Sequence, residues 1–191
     1  MENVLIYIHG FMSSPQSVKA QQTLAYVRQH HSELTMEVPQ VPNYPLDAAQ
    51  MLEALARKYE GKKLGFIGSS MGGFMSTHLV EMFGGKAVLI NPAVRPFELL
   101  KGFLGTHINP YTAQEFTLQE PHIQQLVDLN TTELKDPQAY WALLQTNDET
   151  LDYRQAEQKY ANSRLTIEQG GDHSFQNYGD HLPEIFEFLL T

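Results

Sequence analysis

The sequence predicts an α/β fold: a mostly parallel sheet of about six strands with helices on both faces. Three observations carry that prediction. Short, nearly continuous apolar runs recur along the chain, amphipathic helical patterns alternate with them, and a glycine-serine turn, Gly68-Ser69-Ser70-Met71-Gly72-Gly73, joins one run to one helix. Apolar runs without polar alternation are typical of parallel strands buried on both faces. Strands alternating with helices imply right-handed crossovers, hence parallel neighbours. At 191 residues, a single domain over 1–191 with one core suffices.

The first strand is expected at residues 4–8, ending in His9-Gly10-Phe11. Pro15 can open the next helix, in which Ala20, Leu24 and Val27 share a face. A second strand is expected over 34–41, closed by Pro39, Pro42 and Pro45. A helix follows over about 46–59, with Ala49, Leu52, Ala56 and Tyr59 inward and Gly61 as its stop. Residues 64–69 form the third strand, and its helix carries Phe74, His78, Leu79 and Met82 at helical spacing. The fourth, fifth and sixth strands are expected at 86–91, 140–146 and 165–169. A helix with Tyr153, Ala156 and Tyr160 on one side separates the last two. A final helix buries Leu182, Ile185, Phe186 and Leu189, with Pro183 near its start. The alternation breaks at 93–136, a stretch too long for a plain connection, where helices are expected over 97–104 and 121–129. Such a helical insertion is either a lid over a site or a surface elaboration.

Composition narrows the function. A formal net charge of −9 argues against a nucleic-acid surface, which needs clustered Lys and Arg. With no cysteine, disulfides, thiolate metal sites and a cysteine nucleophile are excluded. No H-x-x-x-H, H-E-x-x-H, Walker A or G-x-G-x-x-G pattern occurs, so neither a metal nor another cofactor is expected. The first residues lack a basic n-region, and no apolar segment approaches the roughly 18 residues that span a bilayer. A soluble, cytoplasmic protein without a membrane partner is the expectation. Oligomeric state has no signal in the sequence.

Gly68, Ser70 and Gly72 fit G-x-S-x-G between an expected strand and an expected helix, the context this motif requires. A serine at such a turn stands above the sheet edge, and the helix behind it aims free N–H groups at any oxyanion formed beside it. Ser70 is therefore the candidate nucleophile. In open α/β sheets ligands bind at the carboxyl ends of the strands. His9-Gly10-Phe11, Ser70, Asp148 and His173 all fall there, and Ser, Asp, His is the chain order of one family of triads. His173, after the sixth strand and a Gly-Gly turn, is the candidate general base. Asp148 is the candidate acid that orients it; the rival Asp152 precedes a helix and suits an N-terminal cap. Glu149 is read as solvent-facing. The backbone N–H groups of Met71 and Phe11 are the candidate oxyanion donors, with His9 bracing the Phe11 loop.

On these residues the chain resembles the α/β-hydrolase superfamily and, within it, the small bacterial esterases of the YqiA type. The resemblance runs nearly end to end: His9-Gly10-Phe11, Gly68-x-Ser70-x-Gly72-Gly73, Asp148 and Gly170-x-x-His173. It implies an α/β-hydrolase fold, a Ser70–His173–Asp148 triad and cofactor-free hydrolysis of a small ester or thioester. Two departures stand out. The chain starts close to the strand that carries the oxyanion loop, so the first two strands of a full-length hydrolase sheet are not expected. Gln145 also stands where many relatives place a glycine.

The reaction expected is acyl transfer through an acyl-serine intermediate. A serine peptidase would use the same residues. An acyl-CoA thioesterase would need a site for the CoA phosphates, to which Lys101 could contribute, and a non-catalytic binding module could retain the fold. Phe97, Leu100, Phe103 and Leu104 could line an acyl pocket or form the packed face of an ordinary helix.

Overall fold

The computed structural model describes residues 2–191. In chain order the first half runs β1 (Asn3–Ile8), α1 (Val18–His30), β2 (Thr35–Glu37), α2 (Pro45–Lys58), β3 (Lys63–Ser69), α3 (Met71–Phe83) and β4 (Lys86–Ile90). The second half runs α4 (Pro96–Leu100), β5 (Gly105–Ile108), β6 (Glu115–Leu118), α5 (Glu120–Asp128), β7 (Tyr140–Gln145), α6 (Tyr153–Lys159), β8 (Arg164–Glu168) and α7 (Leu182–Leu190). Six of the strands form one sheet in the order β2-β1-β3-β4-β7-β8, and every neighbouring pair is parallel.

Both faces of the inner strands β1, β3, β4 and β7 are covered, which is why these are largely apolar, whereas the edge strands β2 and β8 are only partly buried and carry Glu37, Arg164 and Glu168. Val4, Ile6 and Ile8 point to the face packed by α2, α3 and α6, together with Leu52, Ala56 and Leu79. Leu5 and Tyr7 point the other way, against Val27 of α1 and Ile185, Phe186 and Leu189 of α7. The inward residues expected for α2 and α7 are buried, Tyr59 partly so. In α1, Thr23 is buried and Leu24 only partly, because the Thr23 hydroxyl finds partners in Lys19 O and the Tyr178 hydroxyl. Met82 lies on the outside of α3.

Two expectations need correction. The second strand pairs only over Thr35–Glu37 and does not extend to residue 41. Pro39 has no N–H to give a ladder, and the Val41 N–H is turned onto a histidine ring instead. The 93–136 insertion holds α4 and α5 but also an antiparallel hairpin, β5–β6, where only helices were expected. Its helix over 97–104 ends at Leu100 and continues as a 3-10 turn, Lys101–Phe103.

The strand order places the reversal of winding between β1 and β3. From β1 the chain moves outward to β2, then returns to the other side of β1 as β3. Crossovers leave a crevice at the carboxyl ends of such a pair. Ile8 is opposite Gly68 in the register, so the loop after β1 and the turn after β3 leave the sheet side by side.

Candidate active site

Ser70 occupies the turn between β3 and α3 with φ 54° and ψ −115°, a backbone conformation that costs a non-glycine residue on the order of 1–3 kcal/mol. Surrounding bonds hold it there. Its N–H donates to Ile90 O at 3.0 Å, and its carbonyl accepts from Gly73 N at 2.9 Å and Ala93 N at 3.0 Å. The flanking glycines are required by contact rather than by φ. A Cβ on Gly72 would collide with the carbonyl of Ile8, and one on Gly68 with Gly72 O and Ser76 Oγ. The turn exists because β1, β3 and α3 touch backbone to backbone.

The structure brings three of the candidate side chains into one row. His173 Nε2 lies 3.0 Å from Ser70 Oγ, and its Nδ1 lies 2.9 Å from Asp148 Oδ2 and 3.0 Å from Oδ1. With a carboxylate accepting at Nδ1, that nitrogen carries the proton and Nε2 is free to accept from the serine hydroxyl. The Asp148 side chain is 2% exposed, and Oδ1 also takes the N–H groups of Thr150 at 2.9 Å and Leu151 at 2.8 Å. Asp152 does other work: it caps α6 by accepting from Arg154 N and pairs with the Arg154 guanidinium. Glu149 is exposed as expected, yet its carboxylate accepts the backbone N–H of His173 at 2.9 Å.

Two buried amides outside the expected set hold the His173 loop. Asn91, at φ 40° after β4, accepts from Gln145 N at 3.0 Å and donates to Asp172 O at 2.9 Å and His173 O at 3.2 Å. Gln145 Oε1 accepts from Gln176 N at 2.8 Å and Asp172 N at 3.2 Å. Its Nε2 donates to Glu168 Oε2 at 2.8 Å and Gln176 O at 3.0 Å. Gln145 thus satisfies four groups of the loop and sheet end.

On the opposite side of Ser70, Gly10 approaches closely enough that a Cβ there would lie 3.5 Å from Ser70 Cβ. Phe11 and Met71 both line the cavity with Ser70, and among the described residues neither backbone N–H donates to a protein acceptor. His9 sits behind this loop, buried. Val41 N–H donates to its Nε2 at 2.9 Å, so Nδ1 carries the proton and donates to Gly10 O at 2.8 Å. Burial holds the His9 pKa below its ordinary range, against the upward pull of the Gly10 hydrogen bond.

The cavity over Ser70 measures about 350 Å³. The insertion builds one wall from Pro96, Leu99, Leu100 and Phe103, and α1 with its preceding loop builds another from Ser13, Ser17 and Lys19. Of the four residues considered for an acyl pocket, Leu100 and Phe103 line the cavity, whereas Phe97 packs on the core and Leu104 is exposed. The Phe11 ring meets Phe116 of β6 edge-on at 5.7 Å and Phe103 at 6.5 Å, which couples the insertion to the loop after β1. Among the described residues no group of three or more His, Asp or Glu side chains could hold a metal ion, and no helix is long and apolar enough to cross a membrane.

This geometry can be set beside known proteins. The model of the Uncharacterised protein family UPF0227 matches residues 4–190. The chain belongs to that family. Among solved structures it is similar to Est1E from Butyrivibrio proteoclasticus, at 13% identity and TM-score 0.72, covering 99% of this chain and 87% of that one. It is also similar to mouse alpha/beta hydrolase domain-containing protein 10, at 13% identity and TM-score 0.71, with 97% and 88% covered. A monoacylglycerol lipase of Paleococcus ferrophilus matches at 11% identity and TM-score 0.70, with 97% and 93% covered. The fold is that of the α/β-hydrolases.

Two predictions follow from the supports of the site. Gln145→Ala strips the acceptor from two backbone N–H groups, so it should cost about 2 kcal/mol or more in urea unfolding and speed hydrogen exchange at Asp172 and Gln176. Because the folded-state pKa of His9 is lowered, the folded protein binds fewer protons there than the unfolded chain. Stability from this group is full above about pH 6.5 and is lost as pH falls through the unfolded value toward the folded one. The unfolding midpoint should therefore drop between pH 7 and 5, and less steeply in His9→Gln.

Proposed function

We propose that the protein is a serine-dependent carboxylic ester hydrolase. The observation that carries this reading is the unbroken hydrogen-bonded row Ser70–His173–Asp148 opening into a cavity where two backbone N–H groups have no acceptor among the described residues. Ser70 Oγ attacks the ester carbonyl while His173 Nε2 takes its proton. The N–H groups of Phe11 and Met71 hold the developing oxyanion, and the α3 N-terminus adds its dipole. His173 then gives the proton to the departing alcohol, leaving an acyl-serine. Water, deprotonated by the same nitrogen, attacks that acyl group and releases the acid and free Ser70. Asp148 keeps the imidazole in the required tautomer and offsets its charge. The 93–136 insertion roofs the site, and its apolar wall suits the acyl chain. The name of one similar structure, a monoacylglycerol lipase, agrees with ester chemistry.

A fluorophosphonate should add once to the folded protein by intact mass and not at all to Ser70→Ala. Absence of an adduct on the folded wild type would remove the nucleophile and the reading with it. Asp148→Asn should lower kcat by about 10³-fold or more, since the amide imposes the wrong tautomer on His173, while Asp152→Asn should stay within a few-fold. Equal activity of Asp148→Asn and wild type would take Asp148 out of the triad.

A further inference from the structure

The two ends of the cavity differ in chemistry. The insertion end is apolar, whereas the end beneath α1 gathers Tyr7, Ser13, Ser17 and Lys19. The Tyr7 hydroxyl is the unusual group there. The residue lines the cavity but is 0% exposed, and its buried hydroxyl, with the Ser17 side chain beside it, makes no hydrogen bond of good geometry among the described residues. An unpaired buried hydroxyl costs stability that a ligand acceptor would recover. Burial pushes this phenol well above its ordinary pKa, with Tyr178 adding to the rise and Ser17 drawing it back, so it remains a donor and lies beside Ser17.

Lys19 completes the arrangement. Its ammonium donates to Ser174 O at 2.6 Å and, among the described residues, forms no other hydrogen bond and no ion pair. Burial lowers its pKa, and the Asp172 carboxylate, the acid whose field reaches it, pulls it back up. Two of the three ammonium protons are therefore free in a partly desolvated place, where charge-assisted bonds are strongest. Helix α1 reinforces the charge: its first turn holds no acid, and Ser17 at its N-cap makes no side-chain cap bond.

We propose that this end of the cavity is a subsite for an anionic group, carboxylate or phosphate, carried by the alcohol half of the ester and bound by Lys19 and Tyr7. The side is set by His173. The alcohol must leave within reach of His173 Nε2, and Lys19 is anchored on the carbonyl of the next residue, Ser174. The acyl half then lies toward Leu99, Leu100 and Phe103. The proposal deepens the esterase reading and rests on it.

The test compares matched esters: 4-(hexanoyloxy)benzoate against its methyl ester, and 4-(hexanoyloxy)phenyl phosphate against 4-(hexanoyloxy)phenyl methyl ether. The quantity read is the kcat/KM ratio of anionic to neutral partner. Lys19→Met should lower that ratio about tenfold or more, Lys19→Arg should restore part of it, and Tyr7→Phe should lower it about threefold. Tyr7→Phe removes a hydroxyl that makes no hydrogen bond of good geometry among the described residues, so its melting temperature should change little. A loss confined to the benzoate pair identifies a carboxylate subsite, and one confined to the phosphate pair a phosphate subsite. An unchanged ratio in Lys19→Met and Tyr7→Phe, even with both rates reduced, overturns the subsite and leaves Lys19 as a brace on Ser174. Failure of the folded wild type to cleave any of the four esters overturns the esterase reading and the subsite together.

Discussion

The contact on which the molecule depends is the one between the first turn of α3 and the end of β1. No side chain fits between Gly72 and the Ile8 carbonyl, so the helix start lies directly on the strand end. That approach bends the chain sharply after β3 and forces Ser70 to a positive φ of 54°. It also brings the loop after β1 against the serine, so a single steric fact positions the hydroxyl, the helix N-terminus and the Phe11 amide together. The strain at Ser70 is sustained by hydrogen bonds to Ile90 O at the end of β4, to Ala93 N in the segment after it and to Gly73 N of α3, all of them backbone groups of the protein. The site is thus preorganised at the level of the backbone.

Around this rigid centre the walls come from elements of different kinds. The His173 loop hangs from β4 and β7 through Asn91 and Gln145, both buried, so its position is tied to the sheet. The roof comes from the insertion, which reaches the loops after β1 and β2 through Asn109, Asn43 and the Phe11–Phe116 contact. The row of three side chains is therefore held at the sheet edge, while the wall of the cavity facing it comes from an insertion that is itself anchored in the core through Phe116, Leu118, Ile123 and Leu126.

The fold and the row of three side chains were legible because each leaves a local mark. Buried parallel strands show as apolar runs, and G-x-S-x-G, Gly-Gly-x-His and Asp148 fall at strand ends. The hairpin β5–β6 left almost none. Its strands are four residues each, mostly exposed, and its turn depends on Asn109 accepting from Tyr111 N and Thr112 N. Alternation of Phe116 and Leu118 was the available signal. The second strand stops at Glu37 although apolar residues continue to Val41, because Pro39 has no N–H to give a ladder. Asn91, Tyr7 and Lys19 were invisible for another reason: each acts across a long sequence separation, through contacts that only the folded chain creates.

Gln145 shows how such long-range contacts constrain one another. A Cβ on Gly171 would overlap the Gln145 side chain, and Gly171 itself sits at φ 72°, so the glutamine and the glycine are a matched pair. A glycine at position 145 would leave the amides of Asp172 and Gln176 without these acceptors. Here one side chain supplies them from the sheet, and the glycine at 171 is the steric condition for its doing so. Asn91 belongs to the same solution, because its carbonyl oxygen accepts the Gln145 backbone N–H while its amide nitrogen reaches the loop that the Gln145 side chain supports. Two amide side chains thus give the imidazole a footing in the sheet that no residue of its own loop could provide.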